Sequence, residues 1–228
     1  MNISLKSRNV PKLLIVWVAN VVVFSGVMTG DLDVWDVEAL RALAAQIGQD
    51  PAAGWPYVGL VTIVGIFNGA VPRPMKERLV FWTKCRPGCR AFSALMLKDS
   101  TIDRRALQEH FGPLPTDPDE QNALWVKWLN EFSGDMRVGP AYGMYLFSRD
   151  WTTIAAITFV VATPVALWFS DDSVRALAYG AVVLLQYALA AWLARVQGEQ
   201  LVMSVMSCKG TSLNTRLGDK KKKGRSRK

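Results

Sequence analysis

Four apolar blocks punctuate the chain, each about 18–20 residues long, the length a helix needs to cross a hydrocarbon core of ~30 Å. They run from Leu13 to Gly30, Gly54 to Val71, Trp151 to Ser170 and Val174 to Ala194, and each carries no charge or one at an end. Polar positions fill the stretches between them. The pattern predicts an all-α integral membrane protein of two transmembrane hairpins, four helices in all, with a small helical cytoplasmic insert. Its segments are a cytoplasmic N-terminus (1–12), a first hairpin with an acidic outer loop (13–71), a cytoplasmic helical segment (72–150), a second hairpin (151–194) and a basic cytoplasmic tail (195–228). The first block follows Lys6, Arg8 and Lys12 but has no small-residue cleavage site behind it, so it reads as a retained helix.

Charge sets the direction. Loops rich in Lys and Arg stay in the cytoplasm. The first twelve residues carry three bases and no acid, whereas 31–53 carry five acids against Arg41. Bases crowd the start of the middle segment at Arg73, Lys76, Arg78, Lys84, Arg86 and Arg90. From Arg195 onward ten bases face Glu199 and Asp219, a balance of +8 that equals the net charge of the whole chain. Both termini and the middle segment are expected on the cytoplasmic side of the membrane. Trp55, Trp151, Trp168 and Trp192 fall near the ends of the blocks, the level of a bilayer that amphipathic rings prefer.

Within the blocks, Gly65 and Gly69 of "GIFNG" lie one turn apart and would admit a second backbone, and Gly180 is similar. Asn68 needs a hydrogen-bond partner in hydrocarbon, with Asn20 or Gln186 as candidates. These six residues are the expected packing or oligomerisation positions. Pro164 is expected to kink the third span. No ionisable residue lies in the middle of a block, which argues against ion-coupled transport by this chain alone.

The middle segment contains two short helices. Ser100 or Thr101 would cap the first, Ile102, Leu107 and Phe111 would form its apolar face, and Gly112 would end it. In "TDPDEQNALWVKWLNEF", Asp117 fits N-cap, Pro118 the first turn and Glu120 the third position, so these acids are mainly helix-start chemistry. Trp125, Trp128, Leu129 and Phe132 recur at helical spacing as a buried face. Gln121 and Asn122 are left over by capping and packing. Arg90, Asp99, Asp103, Glu120, Gln121, Asn122, Trp125, Arg149 and Asp150 are therefore the candidate partner or ligand contacts.

No nucleophile elbow, phosphate loop, metalloprotease or dinucleotide motif occurs. Cys85, Cys89, Cys208 and His110 are too few for a four-ligand metal site, although Cys85 and Cys89 could form a pair with a second subunit. No catalytic residue, cofactor or metal is expected. In the tail, Leu201, Val202, Val205 and Met206 could lie along the inner leaflet as an amphipathic helix. Lys220, Lys221, Lys222, Lys223, Arg225, Arg227 and Lys228 form a polybasic end suited to anionic lipid, and less so to nucleic acid.

The elements "CRPGCRAFS", "DSTIDRRAL", "GPLPTDPDEQNALW" and "LFSRD" resemble those of a group of bacterial inner-membrane proteins without an established activity. In that group a P-G-x-R-A-F-S element, a D-x-x-I-D-x-x-x-L helix, a P-x-x-P-x-E-Q-N-x-x-W helix and an R-D pair join two membrane hairpins. The likeness covers about residues 85 to 150 and the hairpin layout. It implies architecture and no reaction. The expected function is that of a non-enzymatic, oligomeric membrane effector or adaptor, of the kind used in stress or phage defence, whose cytoplasmic segment docks a protein partner. The alternatives are a subunit of a transport complex and a lipid-acting enzyme using Asp99, Asp103 or Glu120.

Overall fold

The computed structural model describes residues 5–29, 59, 62, 65–83, 86–100, 102–170 and 172–225, with side chains described for fewer of them at the two ends. The chain is all-helical, 87% helix with no strand among the described residues. Helix α1 is Leu5–Thr29, α2 Arg73–Phe81, α3 Arg104–Phe111, α4 Pro118–Phe132, α5 Val138–Phe169 and α6 Ser173–Arg225. Residues 65–70 are also helical.

Two helices, α5 and α6, are long and apolar enough to cross a membrane, and α1 carries a shorter apolar stretch, Asn9–Phe24. Half of the second block falls outside the described residues, and the acidic loop 31–53 lies wholly outside them. Among the described residues there are therefore two candidate spans, not four.

The chain divides into two compact units. The first takes residues up to Val80 together with Phe147–Leu193; the second takes Phe81–Leu146 and everything from Ala194. In the first unit the core is built from small side chains and a few rings: Ala162 and Ala166 of α5 meet Ala176, Tyr179 and Val183 of α6, with Phe24 of α1 beside them. Phe24 and Tyr179 stack edge-to-face at 5.6 Å. A Cβ on Gly180 would sit 2.7 Å from Thr163 Cγ2. Gly180 is thus a packing residue within the chain, where its missing side chain lets α6 approach α5. Asp172 caps α6 by accepting from the Val174 N–H at 2.9 Å. Helix α5 continues through Pro164.

The second unit has a larger, more conventional core. Phe92, Leu107, Trp125, Trp128 and Leu129 pack against Leu201, Val202, Val205 and Met206 of α6. This corrects the expectation for the tail. Those four α6 residues are completely buried, because the aromatic face of α4 gives their apolar stripe a protein partner in place of lipid. Residues 194–215 are core helix, and helical backbone extends to Arg225 through the lysine run Lys220 to Lys223.

One helix cap also differs. Helix α3 starts on Asp103, whose Oδ1 accepts from the Ala106 N–H at 3.0 Å. Ser100 lies too early, since Ile102 is already buried in the core; Thr101 lies outside the described residues. Gly112 does end α3, with φ +75°. After α2 the chain turns at Trp82, whose φ of +54° is rare for a bulky residue. The Arg195 guanidinium lies over its ring, 4.1 Å from the centroid.

Candidate functional site

The start of α4 is built as the sequence implies. Asp117 accepts from the N–H groups of Asp119 and Glu120 at 3.0 and 3.1 Å, which satisfies two orphan amides of the first turn. Glu120 is exposed in that turn. Gln121 is not left over, which corrects the sequence reading. Its side chain is 1% exposed. Its Oε1 accepts from the backbone N–H of Phe92 at 3.0 Å and of Ser93 at 3.2 Å. Its Nε2 donates to Thr116 O at 2.8 Å and to Ser93 Oγ at 3.2 Å.

The partners of Gln121 lie where the backbone leaves ordinary helix geometry. Pro87–Arg90 is a tight 3-10 turn and Ala91–Leu95 a wide π turn. The first amides of the wide turn have no partner within it, and the Gln121 amide supplies one. Asn122 also packs, contrary to the sequence reading. A Cβ on Gly88 would fall 2.6 Å from Trp125 Cε3, 2.8 Å from Asn122 Oδ1 and 3.1 Å from Asn122 Cα. Only glycine fits at that seam. Gly88, Gln121, Asn122 and Trp125 thus belong to one joint between "PGCRAFS" and "EQNALW".

The pair Arg149–Asp150 is buried inside the first unit. Asp150 Oδ1 accepts from Lys76 Nζ at 3.1 Å and from Arg149 Nε and Nη2 at 3.2 and 3.0 Å. Lys76 Nζ also donates to Asn68 Oδ1 at 2.9 Å. Glu77, also buried, accepts from Arg73 Nε at 2.8 Å. Asn68 is therefore held by Lys76, not by Asn20 or Gln186. Asn20 donates back to Val16 O of its own helix at 2.9 Å. Ionisable groups do lie within the apolar unit, at the junction of α2 and α5. Tyr187 of α6 pins the same α2 helix by donating to Leu79 O at 2.8 Å.

A polar-rimmed cleft of about 470 Å³ opens in the second unit. Its walls come from the first turns of α5, the segment before it and one face of α6. Asp99, Arg137, Gln197, Gln200, Ser204 and Cys208 bring donors and acceptors, with Met144 and Met203 as soft apolar wall. Of the residues proposed from sequence, the cleft contains Asp99 alone. Asp103 and Glu120 do not line it, so the carboxylates suggested for lipid chemistry do not converge there. Arg90 is exposed elsewhere in the unit. The α6 residues of the cleft had been assigned to a tail, and their polar spacing at 197, 200, 204 and 208 was the available signal.

Burial pushes the Cys208 thiol above its ordinary range, which disfavours the thiolate. Cys89 is a buried free thiol whose Sγ accepts from the Arg86 N–H at 3.1 Å; Cys85 lies outside the described residues. Among the described residues no group of three or more His, Cys, Asp or Glu could hold a metal ion. The chain matches no protein-family model, no curated protein and no solved structure.

Proposed function

We propose that the chain is a multi-pass membrane protein of the bacterial inner membrane that works as an adaptor or effector, docking a cytoplasmic partner or ligand at the cleft of its second unit. The carrying observation is the contrast between the two units. The outer surface of the α5–α6 hairpin exposes Val160, Trp168, Phe169, Val174, Leu185 and Trp192, with Trp168 84% and Val174 75% accessible. Apolar exposure of that extent on paired helices suits a lipid solvent. The second unit buries a continuous apolar core, leaving Trp82, Leu97 and Met136 exposed, and offers a cleft within the ~300–1,000 Å³ range of ligand sites. Helices α5 and α6 each contribute residues to both units.

In this reading the first two blocks complete four spans, both termini and the middle segment face the cytoplasm, and the polybasic end engages anionic lipid. Gly69, where an added Cβ would meet nothing described within 4 Å, faces a second copy. The test joins topology to effect. Reporter fusions after Gly112 and Lys228 should both report the cytoplasm, and overproduction should depolarise cells. Gly69→Leu should suppress depolarisation without loss of protein from the membrane. Reporters on opposite faces, or normal potential at high expression, count against the proposal.

A subunit of a transport complex is the second reading, favoured by the buried Lys76–Asp150–Arg149 group in the apolar unit. Co-purification of a stoichiometric membrane partner in mild detergent would select it.

A further inference from the structure

The cleft of the second unit has a direction. Here α5 runs against α6: a Cβ on Gly198 would stand 3.3 Å from Tyr145 Cε2, whereas Arg137 lies close enough to Cys208 for its charge to act on the thiol. The segment before α3 runs along with α6, since Lys98 pairs with Glu199 at 3.1 Å and a Cβ on Gly210 would stand 3.6 Å from Asp103 N. Arg137 therefore marks the Cys208 end of the cleft and Asp99 the Gln197–Gln200 end.

Between those poles α6 brings Gln197, Gln200, Ser204 and Ser207 to the wall. Their spacing of three or four residues makes one helical stripe of about 15 Å. Among the described residues the two amides and the Ser207 hydroxyl have no hydrogen-bond partner. Met144 and Met203 supply the apolar wall. Arg137 is held loosely, by Asp135 at 3.6 Å, and its side chain is 60% exposed.

These groups select by chemical class. Asp99 and Arg137 cancel, so the wall has no surplus of cations for a phosphate. None of its residues is aromatic, so a base has nothing to stack on. A row of amides and hydroxyls is a poor bed for an acyl chain. A peptide backbone offers donors and acceptors all along its length, and about 15 Å is four or five residues of extended chain. Its side chains alternate in direction, so every second one falls on the adaptable thioethers.

We infer that the cleft holds the carboxyl-terminal end of a partner protein, extended along α6, with backbone groups on Gln197, Gln200 and Ser207, apolar side chains on Met144 and Met203, and the terminal carboxylate at Arg137. A guanidinium matches a carboxylate in shape and charge, and the Asp99 end repels it. The inference rests on the reading of the cleft as a docking site and names what docks there.

The test uses the full chain in mild detergent, dialysed to equilibrium against a pool of N-acetyl tetrapeptides with Leu, Ile, Val, Met or Phe at the second and fourth positions. The pool with free carboxylates should be retained about tenfold better than the same pool amidated. Arg137→Met changes an exposed side chain, so it should fold and erase that difference. Ser204→Trp should plug the cleft and abolish retention, whereas Leu184→Trp on an exposed face of α6 should keep it. Equal retention of the two pools, or retention that Ser204→Trp leaves unchanged, overturns the inference. Maltotetraose or AMP retained in place of the peptides, and lost in Ser204→Trp, overturns it but leaves the cleft a docking site. No probe retained, with depolarisation unchanged in Ser204→Trp, overturns it together with the docking reading.

Discussion

Lys209 of α6 donates to Glu131 of α4 at 2.6 Å, with its ammonium facing three aromatic rings. The centroids of Phe111 and Phe132 lie 5.5 Å from Nζ and that of Trp128 6.0 Å. The residue is 7% exposed, so the cation has traded water for a carboxylate and a cage of π faces. Lys209→Met keeps the stem and loses the charge, and should cost about 1 kcal/mol, allowing for the partial exposure of Glu131. Lys209→Ala also loses the packing of the stem and should cost about 2 kcal/mol. Urea unfolding followed by tryptophan fluorescence would rank the two, and equal stability would show the cage to be energetically idle.

Removing Gln121 should unfasten the joint it holds. Gln121→Leu keeps the volume but leaves the Phe92 and Ser93 amides without their acceptor, at about 2–4 kcal/mol. Hydrogen exchange at those two amides should accelerate before global unfolding. Gly88→Ala should destabilise the same joint by a different route, overpacking, at about 1–3 kcal/mol. Asn122→Ala should not fully rescue it, because the clash with Asn122 Cα is with backbone.

The buried ion group should respond asymmetrically. Asp150→Ala strands Lys76 and Arg149 without their shared carboxylate and should cost about 3–5 kcal/mol. Lys76→Met leaves Asp150 paired with Arg149 and should cost clearly less. Thermal melts of the two variants in the same detergent would decide, and equal losses would contradict the shared-carboxylate geometry.

Asp103 gives the second unit an acid-sensitive cap. The Ala106 N–H, and after it the Asn214 amide at 2.9 Å, hold its carboxyl below the ordinary range. A group whose folded pKa is depressed contributes stability above its unfolded pKa of about 3.9, and that stability is lost as the pH falls through the folded value. Asp103→Asn should remove this component of the pH dependence below about pH 4, seen by comparing melts at pH 3 and pH 6. An unchanged slope would mean that the cap does not form in solution.

Local features were legible and distant ones were not. The Asp117–Pro118–Glu120 helix start and the Trp125–Trp128–Leu129 face were readable because every partner lies within one or two turns. Gln121 was not, since its acceptor role is toward amides 28 and 29 residues earlier. Lys76 and Asp150 are 74 residues apart, so each looked like a topology signal near a span. The α6 stripe at 201, 202, 205 and 206 was seen, but its partner was misjudged. Periodicity reveals that a face is buried, and lipid and protein satisfy that demand equally well. The basic end beyond it drew the whole stretch into a tail, although the apolar stripe stops near Leu213, before the lysines begin.

The close approach at Gly180 carries a rule about spelling. Thr163 leaves room opposite it for a hydrogen and nothing larger. A sister sequence that writes alanine at 180 must therefore write serine or alanine at 163, where the offending methyl is absent. These two letters would have to change as a pair if the third and fourth apolar blocks are to keep the same spacing.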